Sequence, residues 1–153
     1  FKIGGNTLLM FDLKRVYCLD TNVLIQAWQQ YYSPIFCKEY WDILNELGVK
    51  KRIFLPEVVA EEIIRKDDTL SKWLKNSNIP VQKIDNEVIS KWQEIQDANP
   101  LHKFLVDNIR QRSLADPWVI AHSMKMNATV VTRENKETAL NSKRIKILMF
   151  VRI

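Results

Sequence analysis

Four acidic positions of the sequence carry side chains suited to one shared chemistry. Several carboxylates gathered in one cleft repel each other and raise one another's pKa, so a fold would keep that arrangement mainly to hold a cation. Hard oxygen ligands without a neighbouring His or Cys indicate Mg²⁺ or Mn²⁺ rather than zinc. The candidates are Asp20, Asp116, Glu134 and one of the adjacent pair Glu61 and Glu62.

Taken singly, each acid also has a structural explanation. Asp116 precedes Pro117, a position from which a carboxylate can cap the start of a helix. Asp20 could cap the helix after it in the same way, and Glu62 could pair with Lys66 one helical turn further on. The metal hypothesis therefore depends on the acids meeting at one place, which is decided by the elements that carry them.

Strand and helix patterns alternate along the chain. Short apolar runs predict strands, at residues 16–19, 53–55, 81–84, 128–132 and 145–151. Helical spacing of apolar residues predicts the helices between them, at residues 23–30, 39–47, 56–66, 67–76, 86–97, 101–111 and 116–126. Gly48 is expected to end the second helix at its carboxyl side.

Strands separated by helices indicate a parallel sheet with right-handed crossovers. The apolar runs are continuous rather than alternating, which is typical of a sheet covered on both faces. The predicted fold class is therefore α/β, a three-layer α/β/α domain with five strands. In such a sheet, ligands bind at the carboxyl ends of the strands, where Asp20 and Glu134 follow the first and fourth strands.

Length and composition narrow the classes of protein. The chain has 153 residues, the size of one domain, and its 46% of hydrophobic residues suffices for a core. Its 3 glycines, 5 prolines and 2 cysteines exclude collagen-like, low-complexity and disulfide-dense secreted proteins. No apolar run is long enough to span a membrane. We therefore expect a cytoplasmic protein, whose net charge of +5 permits an acidic partner such as nucleic acid.

The domain is expected to occupy residues 14–153, preceded by an N-terminal extension at residues 1–13. Because Met10 could serve as a start, the status of residues 1–9 stays open.

Four stretches of the sequence resemble the PIN-domain ribonucleases in their order and rough spacing. They are Asp20-Thr21-Asn22, VVAEEI, Ala115–Ala121 and Val130–Glu134. The resemblance extends from about Val16 to Val151. The stretch DTNVLIQAW resembles a particular PIN-like branch of unknown function. Many compact PIN proteins are toxins of toxin–antitoxin pairs, so the resemblance also suggests that role.

The resemblance implies a PIN-like sheet in the order 3-2-1-4-5 and cleavage of single-stranded RNA with Mg²⁺ or Mn²⁺. The metal-binding and catalytic roles would fall to Asp20, Glu62, Asp116 and Glu134, with Glu61 as the fallback for Glu62. Glu134, two residues past Thr132, stands where the family usually has Asp, so its longer side chain would favour a metal contact through water. Asn22 matches a small polar residue that helps to orient the first acid.

Basic residues near the predicted site are candidates for contacts with RNA phosphates. They are Arg110 and Arg112, which closely precede Asp116, and Arg133, which lies between Thr132 and Glu134. A dense aromatic series could stack on bases, fill the core, or form an interface with a second copy or an antitoxin protein. The series is Trp28, Tyr31, Tyr32, Phe36, Tyr40 and Trp41.

Three function classes compete. The first is a divalent-metal-dependent endoribonuclease, the toxin of a toxin–antitoxin pair. The second is a PIN-like module that binds RNA or protein with weak or no catalysis. The third is a phosphotransferase with an Asp nucleophile, which is disfavoured because such enzymes carry a second Asp where this chain has Asn22. We expect Cys18 and Cys37 to be ordinary buried thiols, and His102 and His122 to be structural or solvated.

Overall fold

The computed structural model of the protein describes residues 15–99 and 115–133. Within these ranges the sheet has four strands, which are β1 Tyr17–Leu19, β2 Ile53–Pro56, β3 Val81–Gln82 and β4 Thr129–Val131. Their order is β3-β2-β1-β4, and every neighbouring pair is parallel. The fifth predicted strand, at residues 145–151, lies outside the described residues. The five-stranded sheet and its complete order therefore stay a prediction.

The centre of the sheet is apolar and buried. β1 lies between β2 and β4, so that Tyr17 is opposite both Ile53 and Thr129. All residues of β2 are buried, and Cys18 in the middle of β1 has no exposed surface. Strands without a solvated face require helices on both sides of the sheet, which is the arrangement that the continuous apolar runs predict.

Six helices surround the sheet in the described part of the chain. They are α1 Thr21–Gln26, α2 Lys38–Val49, α3 Glu57–Ile64, α4 Thr69–Asn76, α5 Asn86–Ala98 and α6 Asp116–Met126. α5 packs along α6, while α3 packs against α1 and α4, which gives a three-layer α/β/α arrangement. None of these helices is both long and apolar enough to cross a membrane. The predicted helix at residues 101–111 lies outside the described residues.

The first helix does not stay regular over the predicted residues 23–30. It changes at its end into a π-helical turn, Ala27–Tyr31, where the backbone N–H of Tyr32 donates to the carbonyl of Ala27 at 2.7 Å. The indole Nε1 of Trp41 then donates to the carbonyl of Tyr32 at 2.6 Å. This tertiary hydrogen bond satisfies a carbonyl group at the helix end, where carbonyls lack intrahelical partners.

Gly48 does not end α2, contrary to the sequence prediction. The helix continues to Val49, and Lys51 is the residue that takes the left-handed conformation, with φ of 54°. A Cβ atom on Gly48 would lie 2.7 Å from the carbonyl oxygen of Asn78. Glycine is therefore required here for the close approach of the segment before β3, which the side chain of Asn45 also holds by accepting from the backbone N–H of Asn78 at 2.6 Å.

The aromatic series divides between the core and the surface. Trp41 is 2% exposed, and the rings of Trp28 and Trp73 lie edge-on to it at centroid distances of 4.7 and 4.8 Å. In contrast, Tyr31, Tyr32 and Phe36 are exposed. Part of the series therefore fills the core, as one of the predicted alternatives has it, and part of it is presented to solvent, where the interface role stays a prediction.

Candidate active site at the carboxyl edge of the sheet

Asp20 lies where β1 ends. Its backbone N–H donates to the carbonyl of Val131 at 3.0 Å, which prolongs the pairing of β1 with β4. Its side chain is almost fully buried, with 2% of the residue exposed, and its Oδ2 accepts a hydrogen bond from the Oγ1 of Thr132 at 2.9 Å. Polar residues that follow two neighbouring parallel strands are thus in direct contact, as the carboxyl-edge rule predicts.

The carboxylate of Asp20 does not cap the helix that it precedes. Asp20 occupies the N-cap position of α1, but its side chain accepts no capping hydrogen bond. Asp68 and Asp85 show what a capping aspartate does in this protein, since they accept from the backbone N–H groups of Ser71 at 2.9 Å and Val88 at 3.0 Å. The capping explanation therefore does not account for Asp20.

Asp116 begins α6 and is 8% exposed. The N-cap residue of α6 is Ala115, so Asp116 does not hold the capping position that the structural alternative requires. One turn further along α6, the carbonyl of Val119 accepts from the Sγ of Cys18 at 3.8 Å. Because Cys18 is two residues before Asp20, this contact sets the start of α6 beside the end of β1. The positive end of the helix dipole also favours a carboxylate at this position.

Glu62 faces the turn between β1 and α1. Its Oε2 accepts a hydrogen bond at 2.9 Å from the Oγ1 of Thr21, the buried residue that follows Asp20. Glu61 and Glu62 are both exposed on α3, but this bond joins Glu62 to the neighbour of Asp20. The geometry favours Glu62 over Glu61 as a member of the site.

The other residues predicted for the site are placed as follows. Asn22 is exposed in the first turn of α1. Arg133 is exposed, and its guanidinium lies over the ring of Tyr31, 4.3 Å from the ring centroid. Glu134, Arg110 and Arg112 lie outside the described residues, so their predicted roles stay predictions.

The carboxylate oxygens of Asp20, Asp116 and Glu62 are the donor type that Mg²⁺ and Mn²⁺ prefer. Within residues 15–99 and 115–133, however, no three His, Cys, Asp or Glu side chains lie close enough together to hold a metal ion. Asp20, Asp116 and Glu62 therefore do not form a three-acid metal site by themselves. Their carboxylate oxygens suit a hard divalent cation, but at most two of them could share one ion, which would need a further oxygen ligand. Glu134, outside the described residues, is the ligand that the sequence predicts.

The histidine and cysteine side chains of the described chain offer no competing chemistry. His122 is 1% exposed near the ring of Phe54, its Nε2 has no hydrogen-bond partner in the described structure, and burial lowers its pKa. Burial raises the pKa of the Cys18 thiol to about 12, so that it stays protonated. Cys37 is only partly buried, which corrects the prediction of two buried thiols. The acids and hydroxyls are thus the chemically useful groups at this edge.

Comparison with known sequences decides the family. Residues 17–150 match the protein family described as "Domain of unknown function (DUF4411)". The chain belongs to this family. The match begins in β1 and includes all the acids of the predicted site in the DUF4411 chain. No curated protein matches the DUF4411 chain.

A solved structure shares the fold of the DUF4411 chain. It is the crystal structure of VapBC2 from Rickettsia felis bound to a DNA fragment from their promoter. The TM-score is 0.56 at 17% sequence identity, and the similarity covers 78% of this chain and 87% of that chain. At this identity the likeness establishes the fold alone. The DUF4411 chain therefore has a PIN-like fold, in agreement with the resemblance of its sequence stretches.

One functional candidate of the DUF4411 chain was missed by sequence reasoning. From the sequence, Thr21 had no role beyond its place in the Asp20-Thr21-Asn22 stretch, but it is buried and donates to Glu62, 41 positions further along the chain. Its place directly after Asp20 was the available signal. The partner could not be read from the local sequence, because it depends on how α3 packs against α1.

Proposed function

We propose that this DUF4411 protein is a divalent-metal-dependent endoribonuclease that cleaves single-stranded RNA. The observation that carries the proposal is the Asp20 carboxylate, which is 2% exposed, does not cap its helix and accepts from Thr132 at 2.9 Å. Burying a carboxylate is costly unless polar or metal partners compensate for the lost water. Asp20 lies at the carboxyl edge of a parallel sheet, where ligands bind, so a bound cation would compensate for the buried charge.

The proposed cation ligands are Asp20 and Asp116, with Glu62 and Glu134 contributing directly or through water. When bound, a divalent ion would neutralise charge that develops on the scissile phosphate and make a nearby water more acidic. Mg²⁺ and Mn²⁺ are the proposed ions because the donors are all carboxylate oxygens.

The chain's own side chains would then orient these ligands and accept a proton. The hydroxyl of Thr132 fixes the rotamer of Asp20, and the hydroxyl of Thr21 holds the carboxylate of Glu62. Glu62 remains exposed to solvent, so it can accept the proton of an attacking water while bonded through one oxygen to Thr21. Thr132 and Thr21 are positioning residues in this account, and Glu62 is the proposed general base.

The RNA phosphates would contact the basic residues that the sequence predicts. Arg133 is exposed, and it follows Thr132 directly. Arg110 and Arg112 are proposed for the same role on the basis of their place in the sequence before Asp116. The chain's net charge of +5 suits a polyanionic substrate.

A partner-binding surface is proposed at the connection between the π-helical turn and α2. Ile35 is 82% exposed and Phe36 85% exposed, and adjacent exposed apolar side chains are typical of interaction sites. The likeness in fold to a VapBC2 structure supports the proposal that this protein is a cytoplasmic toxin and that its cognate antitoxin binds this surface. The alternative is that a second copy of the chain binds there and forms a homodimer. Sedimentation of the wild type and Phe36→Glu, with and without the product of the neighbouring reading frame, distinguishes an antitoxin complex from a homodimer.

The test of the nuclease is cleavage of a 5′-labelled single-stranded RNA in Mg²⁺, Mn²⁺ or EDTA. Wild type should cleave with either metal and stop in EDTA, and Asp20→Asn should lose about 100-fold or more of the rate. Asp97→Asn is the matched control, because Asp97 is an exposed acid on α5. RNA binding without cleavage under any metal would favour the second function class, a PIN-like module that binds RNA without cutting it.

A further inference from the structure

A cavity of about 300 Å³ is lined in part by residues that neighbour the proposed site in the sequence. It opens between α1, the π-helical turn, α2 and the end of β4, and its lining includes Tyr31, Tyr32, Tyr40 and Arg133. Apolar clefts of this size with a few polar groups are typical of small-ligand sites. The lining therefore combines aromatic faces with one positive charge.

The tyrosine rings of the cavity are in contact with other lining residues. Tyr32 is stacked on Tyr40 with a centroid distance of 4.4 Å and an interplanar angle of 9°. The guanidinium of Arg133 lies 4.3 Å from the ring centroid of Tyr31. Tyr31 and Tyr32 nevertheless stay 51% and 44% exposed, so part of their surface is accessible to a ligand. Rings that are fixed in orientation lose little entropy when a planar ligand stacks on them.

Two of the residues that line the cavity are close in sequence to Asp20 and Thr132. Its lining also includes Val23, three residues after Asp20, and Val131, which directly precedes Thr132. Thr132, which donates to Asp20, lies in the chain between the two lining residues Val131 and Arg133. A ligand that reached from the acids into the cavity would place a charged group near the acids and a flat, apolar group in the cavity.

We propose that this cavity is a subsite for one nucleobase of single-stranded RNA, next to the phosphate at Asp20; the proposal rests on the proposed nuclease function. Nucleobases stack on aromatic faces with little dependence on base identity. Arginine guanidinium planes also stack on bases and attract the adjoining phosphates. A nucleotide has a flat part that can stack in the cavity and a neighbouring phosphate that Arg133, and a cation held by the acids, would attract.

The test measures the Kd of a fluorescein-labelled single-stranded RNA by fluorescence anisotropy in EDTA, where cleavage is absent. Tyr31→Ala and Tyr32→Ala should each raise the Kd about 5- to 150-fold, the range expected for the loss of one stacked base. Tyr31→Phe and Tyr32→Phe keep the rings and should bind within about twofold of wild type. Thermal unfolding of every variant shows which ones are folded, and Tyr31→Ala serves if Tyr32→Ala unfolds.

A second arm replaces one nucleotide at a time by an abasic residue. When the abasic residue stands at the position that occupies the cavity, this RNA should bind wild type as weakly as the intact RNA binds Tyr31→Ala. The abasic RNA and Tyr31→Ala combined should raise the Kd no further than either change alone. Unchanged Kd values in folded alanine variants, or equal losses in the alanine and phenylalanine variants, would overturn the subsite.

The outcomes separate the subsite from the nuclease. Tyrosine-dependent RNA binding by a protein that cleaves in no metal would retain the subsite and reject the nuclease. Normal cleavage with a KM and a Kd that the alanine substitutions leave unchanged would retain the nuclease and reject the subsite, which would assign the cavity to another ligand such as a partner protein.

Discussion

Thr132 and Asp20 follow neighbouring parallel strands, and a hydrogen bond of 2.9 Å joins the Oγ1 of Thr132 to the Oδ2 of Asp20. Asp20 is buried, so this hydroxyl replaces part of the water that the carboxylate loses on folding. The bond also couples the end of β4 to the end of β1, and any ligand of Asp20 would meet a carboxylate with a fixed orientation.

Thr132→Val should lower the free energy of unfolding by about 1.5–3 kcal/mol, because it removes a hydrogen bond to a buried charged group without changing the side-chain shape. Urea unfolding at pH 7 provides the measurement. Thr132→Ser is the matched control, since it keeps the hydroxyl and should retain most of the stability. If the serine variant lost as much as the valine variant, the methyl packing rather than the hydrogen bond would be responsible.

Gly48→Ala should destabilise the protein by about 1–3 kcal/mol, because its Cβ would lie 2.7 Å from the backbone oxygen of Asn78. Helix propensity alone predicts the opposite sign, a gain of up to about 1 kcal/mol for alanine over glycine in a helix. Chemical denaturation decides between them. Val49→Ala, at a neighbouring exposed position, should stay within about 0.5 kcal/mol of wild type. A stabilised Gly48→Ala would contradict the close approach.

The strands could be predicted from the sequence where the pattern of apolar residues allowed only one interpretation. β1 and β2 lie within a residue of the predicted strands because continuous apolar runs there are bounded by polar residues. β3 is shorter than predicted, since the backbone N–H of Ile84 donates to the Oε1 of Glu57 at 2.7 Å instead of continuing the sheet. The π-helical turn and the packing of Gly48 depend on Trp41 and Asn78, which are distant in the sequence, so local spacing could not predict them.

One contact of the candidate site could be predicted from the topology of the sheet. The contact of Asp20 with Thr132 follows from parallel pairing of adjacent strands, which the alternation of elements already indicated. The choice of Glu62 over Glu61 depends on the rotation of α3 about its axis, and both residues are exposed. Since adjacent glutamates differ only in that rotation, the sequence left both open.

His122 should make stability fall as the pH drops below about 6.5. Burial lowers the pKa of His122 in the folded protein, so between the two pKa values the unfolded chain binds a proton that the folded chain does not. The full contribution of neutral His122 to the free energy of unfolding is therefore present above about pH 6.5. It is lost towards acidic pH, with a slope of up to about 1.4 kcal/mol per pH unit. Unfolding free energies of wild type and His122→Leu from pH 7 to pH 5 measure the difference. Parallel curves for the two proteins would contradict it.

The two thiols should differ strongly in reactivity. The thiolate is the nucleophile, and the pKa of Cys18 is raised to about 12 by its burial, whereas Cys37 is partly exposed. At pH 8, iodoacetamide should alkylate Cys37 at least about 100-fold faster than Cys18 in the native protein. Peptide mass spectrometry follows both sites, and the rates should converge in urea. Equal native rates would show that β1 is accessible.

The central claim is that Asp20 and Asp116 act in one catalytic site. The most direct measurement is the single-turnover rate of Mg²⁺-dependent RNA cleavage by Asp20→Asn, Asp116→Asn and the double variant, with Asp97→Asn as the exposed-acid control. Because residues that act as a unit are not additive, each single substitution should cost about 100-fold or more, and the double variant should lose little beyond that. Single variants that cleave as fast as the control while remaining folded would contradict the account.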